Sequence, residues 1–240
     1  MSRQISFLYG VLCYGLFLVV FLYFIGFVTD MPLPKTVSSG TTGALAPALA
    51  VDLALILLFG LQHSIMARSG FKRWLTNFVS PSVERSTYVL ATNLVFIVLF
   101  VFWQPLPGCL WQLDGQFWVA VLFAVSAAGW LLALLATFLT NHFDLFGLRQ
   151  VHPELVKKAY MPVPFKEILL YRWIRHPMML GLLIAIWATP WMTTSHLLFA
   201  LGMTVYIVIG IHFEEVGLQA QLGQPYREYQ KRTACLLPFY

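Results

Sequence analysis

Charged residues are scarce in this sequence. Only 10% of its 240 residues are Asp, Glu, Lys or Arg, whereas 59% are hydrophobic, and the mean hydropathy is +0.76. A soluble domain carries about 25% charged residues. The scarcity excludes an ordinary soluble protein, so lipid must solvate most of the surface. The formal net charge of +5 is too small to indicate nucleic-acid binding.

Cysteine is also rare, with only Cys13, Cys109 and Cys235. These residues form neither a C-x-x-C pair nor a metal-ligand spacing, so no disulfide framework and no metal site are expected. No G-x-G-x-x-G motif follows a predicted strand, which excludes a soluble nucleotide-binding fold of the Rossmann type.

Long apolar runs are abundant. A membrane-spanning helix needs about 20 apolar residues. Four segments qualify, at about residues 5–28, 44–66, 87–104 and 117–140. A fifth apolar region is interrupted by the Pro-containing sequence TPWMTTSH, which predicts a helical hairpin with spans at about 178–192 and 196–213. The sequence therefore predicts one all-α domain over residues 1–240, a polytopic membrane helical bundle of about six spans, or five if the hairpin is only partly inserted.

Basic residues are distributed unevenly between the loops of this layout. With a cytoplasmic N-terminus, the outer loops hold only Lys35 of the 15 Lys and Arg residues. The others lie on the inner side: Arg3, Arg68, Lys72, Arg73, Arg85, Arg149, Lys157, Lys158, Lys166, Arg172, Arg175, Arg227, Lys231 and Arg232. This asymmetry follows the positive-inside rule, so both termini are predicted to be cytoplasmic.

Two polar motifs bracket the predicted hairpin. YRWIRHPMMLG places Arg175, His176 and Pro177 at the start of the first arm, where a proline fits the first helical turn. Its basic residues suit a ligand, but anchoring at the membrane interface is an alternative. HFEEVGLQAQLGQPYREYQKR places Glu214 and Glu215 at the end of the second arm, where acidic groups oppose the helix dipole. We expect them to pair with an arginine of the first motif or to bind a ligand; a solvated helix end is the alternative.

In combination, RHPxxxG, a hairpin and EExxLxxxxGxxYxxYxxR resemble the isoprenylcysteine carboxyl methyltransferase superfamily over about residues 171–238. The superfamily usually has a tyrosine two positions after the proline, where this chain has Met179. Upstream, the segments QHSIMARSGFKRW, ERSTYVL and NHFDLFGLRQ are similar to the branch that contains the methanethiol-methylating enzymes and the NnrU-like proteins.

The resemblance implies an enzyme of the bacterial inner membrane that binds S-adenosylmethionine near the cytoplasmic side, within about residues 141–238. It implies methyl transfer to a small thiol, with methanethiol as the expected substrate and dimethyl sulfide as the product. The basic side chains of the first motif suit the cofactor carboxylate, the two glutamates suit the ribose hydroxyls, and aromatic faces, including that of Phe213, suit the sulfonium. The candidate cofactor-binding residues are Tyr171, Arg172, Arg175, His176, Gly181, His212, Glu214, Glu215, Tyr226 and Tyr229.

Thiol methylation requires a thiolate, and histidine is the usual base for removing the proton. His142 is a candidate base because Asp144 follows two residues later and can orient it. His63 ends the second predicted span, and Asp52 lies within it, where an ionisable group indicates function. Structural roles remain alternatives: a helix cap or hydrogen bond for His142 and Asp144, a polar helix end for His63, and a bond to a neighbouring helix for Asp52.

Two other functions remain open. The first is a methyltransferase for a lipid or prenyl-cysteine carboxylate. The second is an NnrU-like haem-binding or accessory membrane protein, because His63, His142, His176 and His212 are all predicted near the inner side. Apart from a small thiol and membrane lipid, the sequence predicts no partner.

Overall fold

The chain is almost entirely helical. The structure is a computed structural model that describes residues 2–161 and 165–237. Its helices are α1 (Arg3–Val28), α2 (Leu45–Ala67), α3 (Ser69–Leu75), α4 (Glu84–Phe102), α5 (Gln116–Thr140), α6 (His142–Leu145), α7 (Leu148–Leu155), α8 (Pro177–Trp187), α9 (Thr194–Leu222) and α10 (Gln224–Arg232). A 3-10 helix (Leu169–Arg172) and the strands β1 (Cys109–Gln112) and β2 (Trp191–Thr193) complete the described elements.

Five helices, α1, α2, α4, α5 and α9, are long and apolar enough to cross a membrane. The first four lie within three residues of the predicted spans at either end. The predicted class, a polytopic helical membrane protein, is confirmed.

The two arms of the predicted hairpin differ in length, and the structure corresponds to the alternative of five spans with a first arm too short to cross. Helix α8 has 11 residues, so at about 1.5 Å per residue it is about 16 Å long, well short of a hydrocarbon core of about 30 Å. Pro177 begins it, and the chain leaves the helix before Pro190, since a residue preceding proline disfavours helix. Helix α9 is instead long, with 29 residues, and continues past Glu214 and Glu215 until Gly223 turns out of the helix at φ 64°. The described residues therefore contain five helices long enough to span a membrane and one short apolar helix.

The structure divides into two compact units. The first comprises Met1–Pro107 and Asn141–Pro164. Within it, α4 packs between α1 and α2. Aromatic rings fill this contact: the Phe96 centroid lies 5.0 Å from that of Phe24 and 5.8 Å from that of Phe100. At one end, the fully buried indole of Trp103 donates a hydrogen bond to the Val37 carbonyl at 3.0 Å.

The short helices α6 and α7 cover the opposite end of this first unit. Val151 of α7 is fully buried against Gly10 of α1, where a Cβ would lie only 2.7 Å from the valine side chain. Nearby, the hydroxyls of Tyr9 and Thr87 share a hydrogen bond of 3.1 Å. This packing fixes the start of α6, and therefore His142, against the first turns of α1.

The second unit comprises Gly108–Thr140 and Phe165–Tyr240. In it, α5 and α8 cross at small residues, as membrane helices do where their backbones approach closely. A Cβ at Gly181 would lie 2.6 Å from the Ala133 nitrogen and from the Gly129 oxygen. The Ser126 hydroxyl donates to the Ala185 carbonyl at 2.8 Å across the same contact. This contact holds the start of α8 beside the last turns of α5.

The other end of α8 leads into the small sheet. Strands β1 and β2 are antiparallel, with Trp111 opposite Met192. The Thr193 side chain then accepts a hydrogen bond from the His196 amide at 3.1 Å and caps α9. The predicted turn region 189–196 is thus a short strand followed directly by a helix cap.

Candidate active-site residues

The RHP and EE motifs meet in the second unit. Arg175 Nε donates to Glu215 Oε1 at 2.6 Å, and His176 Nε2 lies 3.1 Å from the same oxygen. His176 Nδ1 is 3.6 Å from a Glu214 oxygen. The expectation that one glutamate pairs with an arginine of the first motif is confirmed for Glu215. We call these four residues the Arg-His-Glu cluster.

The C-terminal segment completes this cluster. Arg175 Nη1 donates to the backbone carbonyls of Gln230, at 3.1 Å, and of Thr233. The Gln230 side-chain amide donates to Glu215 Oε2 at 3.1 Å. The backbone of Arg175 also donates to the Ala234 carbonyl at 2.8 Å. The predictions omitted Gln230 because a glutamine among the charged residues of α10 carries no local signal of its partner.

Glu214 and Glu215 differ in their charge partners and in their exposure. Burial disfavours a charged Arg175, but the hydrogen bond and charge of Glu215 outweigh it, so the pKa of Arg175 is raised. Its guanidinium therefore remains a cation paired with Glu215. The Glu215 side chain is 18% exposed, whereas that of Glu214 is 50% exposed. Glu215 thus belongs to the internal network, whereas the Glu214 carboxylate is the more exposed of the two.

The side chains of Tyr226 and Tyr229 in α10 pack in the interior and are not exposed to solvent. Both are buried, with ring centroids 5.8 Å apart, and Phe165 packs edge-on against each of them. The Tyr229 hydroxyl donates to the Tyr171 carbonyl at 2.5 Å. Burial raises the pKa of Tyr229 to about 12, and it raises the pKa of Tyr226 as well. The two phenols are therefore neutral packing elements behind the cluster.

The other predicted cofactor residues have separate surroundings. Tyr171 lies in the 3-10 helix with its hydroxyl 3.4 Å from the Ala136 carbonyl, and burial raises its pKa to about 12. Arg172 is exposed, and its Nε donates to the Glu167 carbonyl at 3.3 Å.

Gly181 lies in the α5–α8 contact. His212 is exposed on α9 beside Phe213, which is 45% exposed. Positions 162–164 and 238 of the predicted cofactor region lie outside the described residues.

His176, Glu215 and Cys235 have donor atoms within 4.8 Å of one another. A histidine, a carboxylate and a thiol are ligand types that zinc accepts. However, Arg175 Nε is 2.6 Å from the Glu215 carboxylate, so a cation would have to displace the guanidinium. We assign these groups to the internal network.

His142 belongs to a second cluster, in the first unit. It follows Asn141, which has a left-handed backbone and whose side chain accepts from the Asp144 amide at 3.2 Å. The Tyr14 hydroxyl lies 2.8 Å from His142 Nε2. The imidazole is 3% exposed, and its centroid is 4.8 Å from that of Phe146. Burial lowers the pKa of His142, so the ring is neutral at neutral pH.

Asp144 makes hydrogen bonds different from those expected of it. Its Oδ1 accepts from the Tyr160 hydroxyl at 2.7 Å and lies 3.9 Å from Arg149 Nη1. Burial, together with this hydrogen bond, raises the pKa of Tyr160 to about 12. The hydroxyl on His142 comes instead from Tyr14, a residue that the sequence predictions omitted because tyrosines are frequent in α1.

The remaining candidates lie along α2. His63 Nδ1 is 3.3 Å from the Thr92 hydroxyl, and its ring packs 4.9 Å from the Tyr88 centroid. Asp52 is fully buried near the far end of α4, where its carboxylate accepts from the Gln104 amide at 2.8 Å. Asp52 therefore lies at the Trp103 end of the first unit, and His142 lies at the opposite end.

The fold and the two polar clusters define a polytopic helical membrane protein with ionisable groups gathered at helix ends. The chain belongs to the NnrU protein family, whose model matches residues 53–237. It is 46% identical to methanethiol S-methyltransferase of Mycobacterium tuberculosis, over 100% of this chain and 98% of that protein. It is 47% identical to methanethiol S-methyltransferase 1 of Bradyrhizobium diazoefficiens, over 99% of this chain and 83% of that protein.

A more distant relative is nurim of Sus scrofa, 30% identical over 75% of this chain and 71% of that protein. No solved structure matches the chain. These similarities confirm the resemblance to the methanethiol-methylating enzymes and the NnrU-like proteins.

Proposed function

We propose that this protein is an S-adenosylmethionine-dependent thiol S-methyltransferase that converts methanethiol to dimethyl sulfide. The observation that carries the proposal is the similarity of the whole chain, at 46% identity, to the methanethiol S-methyltransferase of Mycobacterium tuberculosis. Methanethiol and dimethyl sulfide are both small and apolar, which suits an enzyme whose surface is largely lipid-facing.

The residues of the second unit fit the proposed cofactor. Glu214 offers a half-exposed carboxylate for the ribose hydroxyls, and the exposed guanidinium of Arg172 suits the carboxylate of the amino-acid end. Phe213 offers an exposed aromatic face for a sulfonium. Arg175 and Glu215 would hold these groups in place through their mutual bond. When bound, S-adenosylmethionine supplies an electrophilic methyl group.

We assign proton removal from the thiol to His142. Its pKa, lowered by burial, keeps the imidazole neutral and able to accept a proton. The Tyr14 hydroxyl, 2.8 Å from Nε2, would fix the orientation of the ring. Phe17, Phe143 and Phe146 surround the ring and would limit the access of water to it. Tyr14 is then the positioning residue, and Asp144 orders the following loop through Tyr160.

We propose structural roles for His63 and Asp52. Asp52 accepts a hydrogen bond from the Gln104 amide, so it ties α2 to the chain that follows α4. His63 joins α2 to α4 through Thr92.

We propose the bacterial inner membrane as the location, with the Arg-His-Glu cluster toward the cytoplasm. The support is that, with a cytoplasmic N-terminus, Lys35 is the only one of the 15 basic residues assigned to an outer loop.

The substrate class is tested with purified protein in detergent, methyl-labelled S-adenosylmethionine and competing acceptors. We expect label in the volatile product of methanethiol and none in an added prenyl-cysteine carboxylate. Preferential labelling of the carboxylate would replace the thiol proposal with a carboxyl methyltransferase. A Soret band in the purified protein would instead favour the haem-binding alternative.

A further inference from the structure

A polar cavity of about 630 Å³ lies within the first unit, apart from the His142 ring. Its walls come from α3, the beginning of α4, and the α6–α7 region. Six charged residues of both signs line it: Lys72, Glu84, Arg85, Asp144, Glu154 and Lys158. A volume of this order is ordinary for a site that takes a small molecule or a headgroup.

Two carboxylate oxygens in this cavity lack partners. Glu84 Oε1 and Glu154 Oε2 are buried and have no hydrogen-bond partner among the described residues, and the same holds for Gln150 Oε1. A buried acceptor without a donor is unfavourable, and more so when it is charged. A ligand ammonium, with three N–H donors, would satisfy such acceptors.

Two basic residues, Lys72 and Arg85, line the same cavity. Burial and the charge of Arg85 lower the pKa of Lys72, and the charge of Glu84 opposes this shift. Arg85 is held by its Nε bond to the Leu145 carbonyl at 2.7 Å and by the Tyr88 ring, 4.9 Å below the guanidinium carbon. An anionic group in the cavity would pair with these two basic side chains. The cavity therefore suits a ligand with a negative and a positive group.

The position of the cavity indicates the source of that ligand. Glu84 is the first residue of the spanning helix α4, and Lys72 belongs to α3, which begins two residues after α2 ends at Ala67. Trp74 and Phe78 beside it are 53% and 71% exposed, with ring centroids 5.1 Å apart. Exposed aromatic rings at helix ends are typical of the level of the lipid headgroups.

We propose that this cavity binds the headgroup of an aminophospholipid, with the phosphate at Lys72 and Arg85 and the primary ammonium at Glu84 and Glu154. A choline headgroup has no N–H to donate to the two carboxylates, and a glycerol headgroup has no positive charge. A soluble molecule with an anion and an ammonium, such as free phosphoethanolamine or the amino-acid end of S-adenosylmethionine, shares the recognition chemistry.

The test is native mass spectrometry of the full chain in detergent, with equal amounts of phosphatidylethanolamine, phosphatidylcholine and phosphatidylglycerol. We expect selective retention of phosphatidylethanolamine, and a loss of about tenfold in its affinity for Lys72→Gln and for Glu84→Gln. Lys158 also lines the cavity but is exposed. We therefore expect Lys158→Gln to lower the affinity for phosphatidylethanolamine less than Lys72→Gln and Glu84→Gln do.

Arg73→Gln and Glu228→Gln are the matched controls, because both residues are exposed and lie outside the cavity. We expect them to retain the lipid as the unchanged protein does. Equal retention of all three lipids, or equal losses in the controls, would overturn the proposal. So would free phosphoethanolamine that binds as tightly as the lipid, or S-adenosylmethionine that displaces the lipid in a Lys72-dependent manner.

Discussion

Arg175 and Glu215, which are 40 residues apart in sequence, form a hydrogen-bonded ion pair of 2.6 Å that ties the start of α8 to the later turns of α9. The same guanidinium also binds two carbonyls of the C-terminal segment. The pair is thus the point at which the two motifs and the chain end are joined. It leaves Glu214, the neighbouring carboxylate, turned to a more exposed position.

The two adjacent glutamates should therefore respond differently to substitution. We expect Glu215→Ala to lower the unfolding free energy by about 2–3 kcal/mol, because it leaves a partly buried guanidinium unpaired. Glu214→Gln should leave the melting temperature in detergent nearly unchanged and weaken S-adenosylmethionine binding by about tenfold, since a charged hydrogen bond is lost. Thermal unfolding and calorimetry measure the two effects. Equal behaviour of the two variants in both measurements would contradict this division.

Gly181 should act through helix packing. Gly181→Ala places a methyl group against the backbone of α5, and we expect a loss of about 1–3 kcal/mol in stability. Gly210→Ala in α9 is the control, because a Cβ there meets nothing within 4 Å. We expect that variant to be neutral or more stable by about 0.5–1 kcal/mol, as for glycine in a helix interior. Similar melting temperatures for the two variants would argue against the close α5–α8 contact.

The proposed base makes activity pH-dependent. Because burial lowers the pKa of His142, the acid limb of kcat/KM should lie below 6.5, the ordinary value for histidine, and activity should be lost as the pH falls through it. The same shift stabilises the folded state above pH 6.5, and this stabilisation is lost as the pH falls. His142→Gln should remove the limb together with most of the activity. A limb unchanged in His142→Gln would assign the proton to another group.

Tyr14 should affect the same limb without contacting substrate. If Nε2–H donates to the Tyr14 oxygen, the bond favours the imidazolium, so Tyr14→Phe should shift the acid limb further down and lower kcat by about tenfold to a hundredfold, with little change in KM. Tyr9→Phe, which removes a hydroxyl bonded to Thr87, is the control in the same helix. A uniform loss of activity without movement of the limb would indicate a purely structural role for Tyr14.

A substitution of Asp52 tests whether this residue is structural rather than catalytic. We expect Asp52→Ala to lower stability by about 1–2 kcal/mol, because the Gln104 amide loses its acceptor. Its kcat/KM should stay within about twofold of the unchanged enzyme, which is within about 0.4 kcal/mol. A large loss of kcat/KM at normal stability would return Asp52 to the catalytic candidates.

The sequence predicted the spans well where one physical rule governs them. Runs of about 20 apolar residues are readable without tertiary context, and α1, α2, α4 and α5 follow them closely. The division of the last apolar region was not readable in the same way. The lengths of α8 and α9 depend on two features: α8 packs on α5 through Gly181, and α9 continues through the polar residues after His212.

The sequence predicted only some of the residues of the candidate site. The meeting of Arg175 and Glu215 was expected because the two motifs bracket one hairpin. Tyr14 and Gln230 were not expected, since their partners are 128 and 15 residues away and no local pattern marks them. The roles assigned to His142, Asp144, His63 and Asp52 stay predictions until the variants above are measured.

Methyl transfer from S-adenosylmethionine to methanethiol can be followed through the methyl group itself. Purified protein in detergent is given S-adenosylmethionine with a trideuterated methyl group and unlabelled methanethiol, and the headspace is examined by gas chromatography and mass spectrometry. We expect dimethyl sulfide three mass units heavier than the unlabelled compound, formed in proportion to enzyme and greatly reduced in His142→Gln. If folded protein that binds the cofactor forms no labelled dimethyl sulfide, the proposed methyl transfer to methanethiol is contradicted.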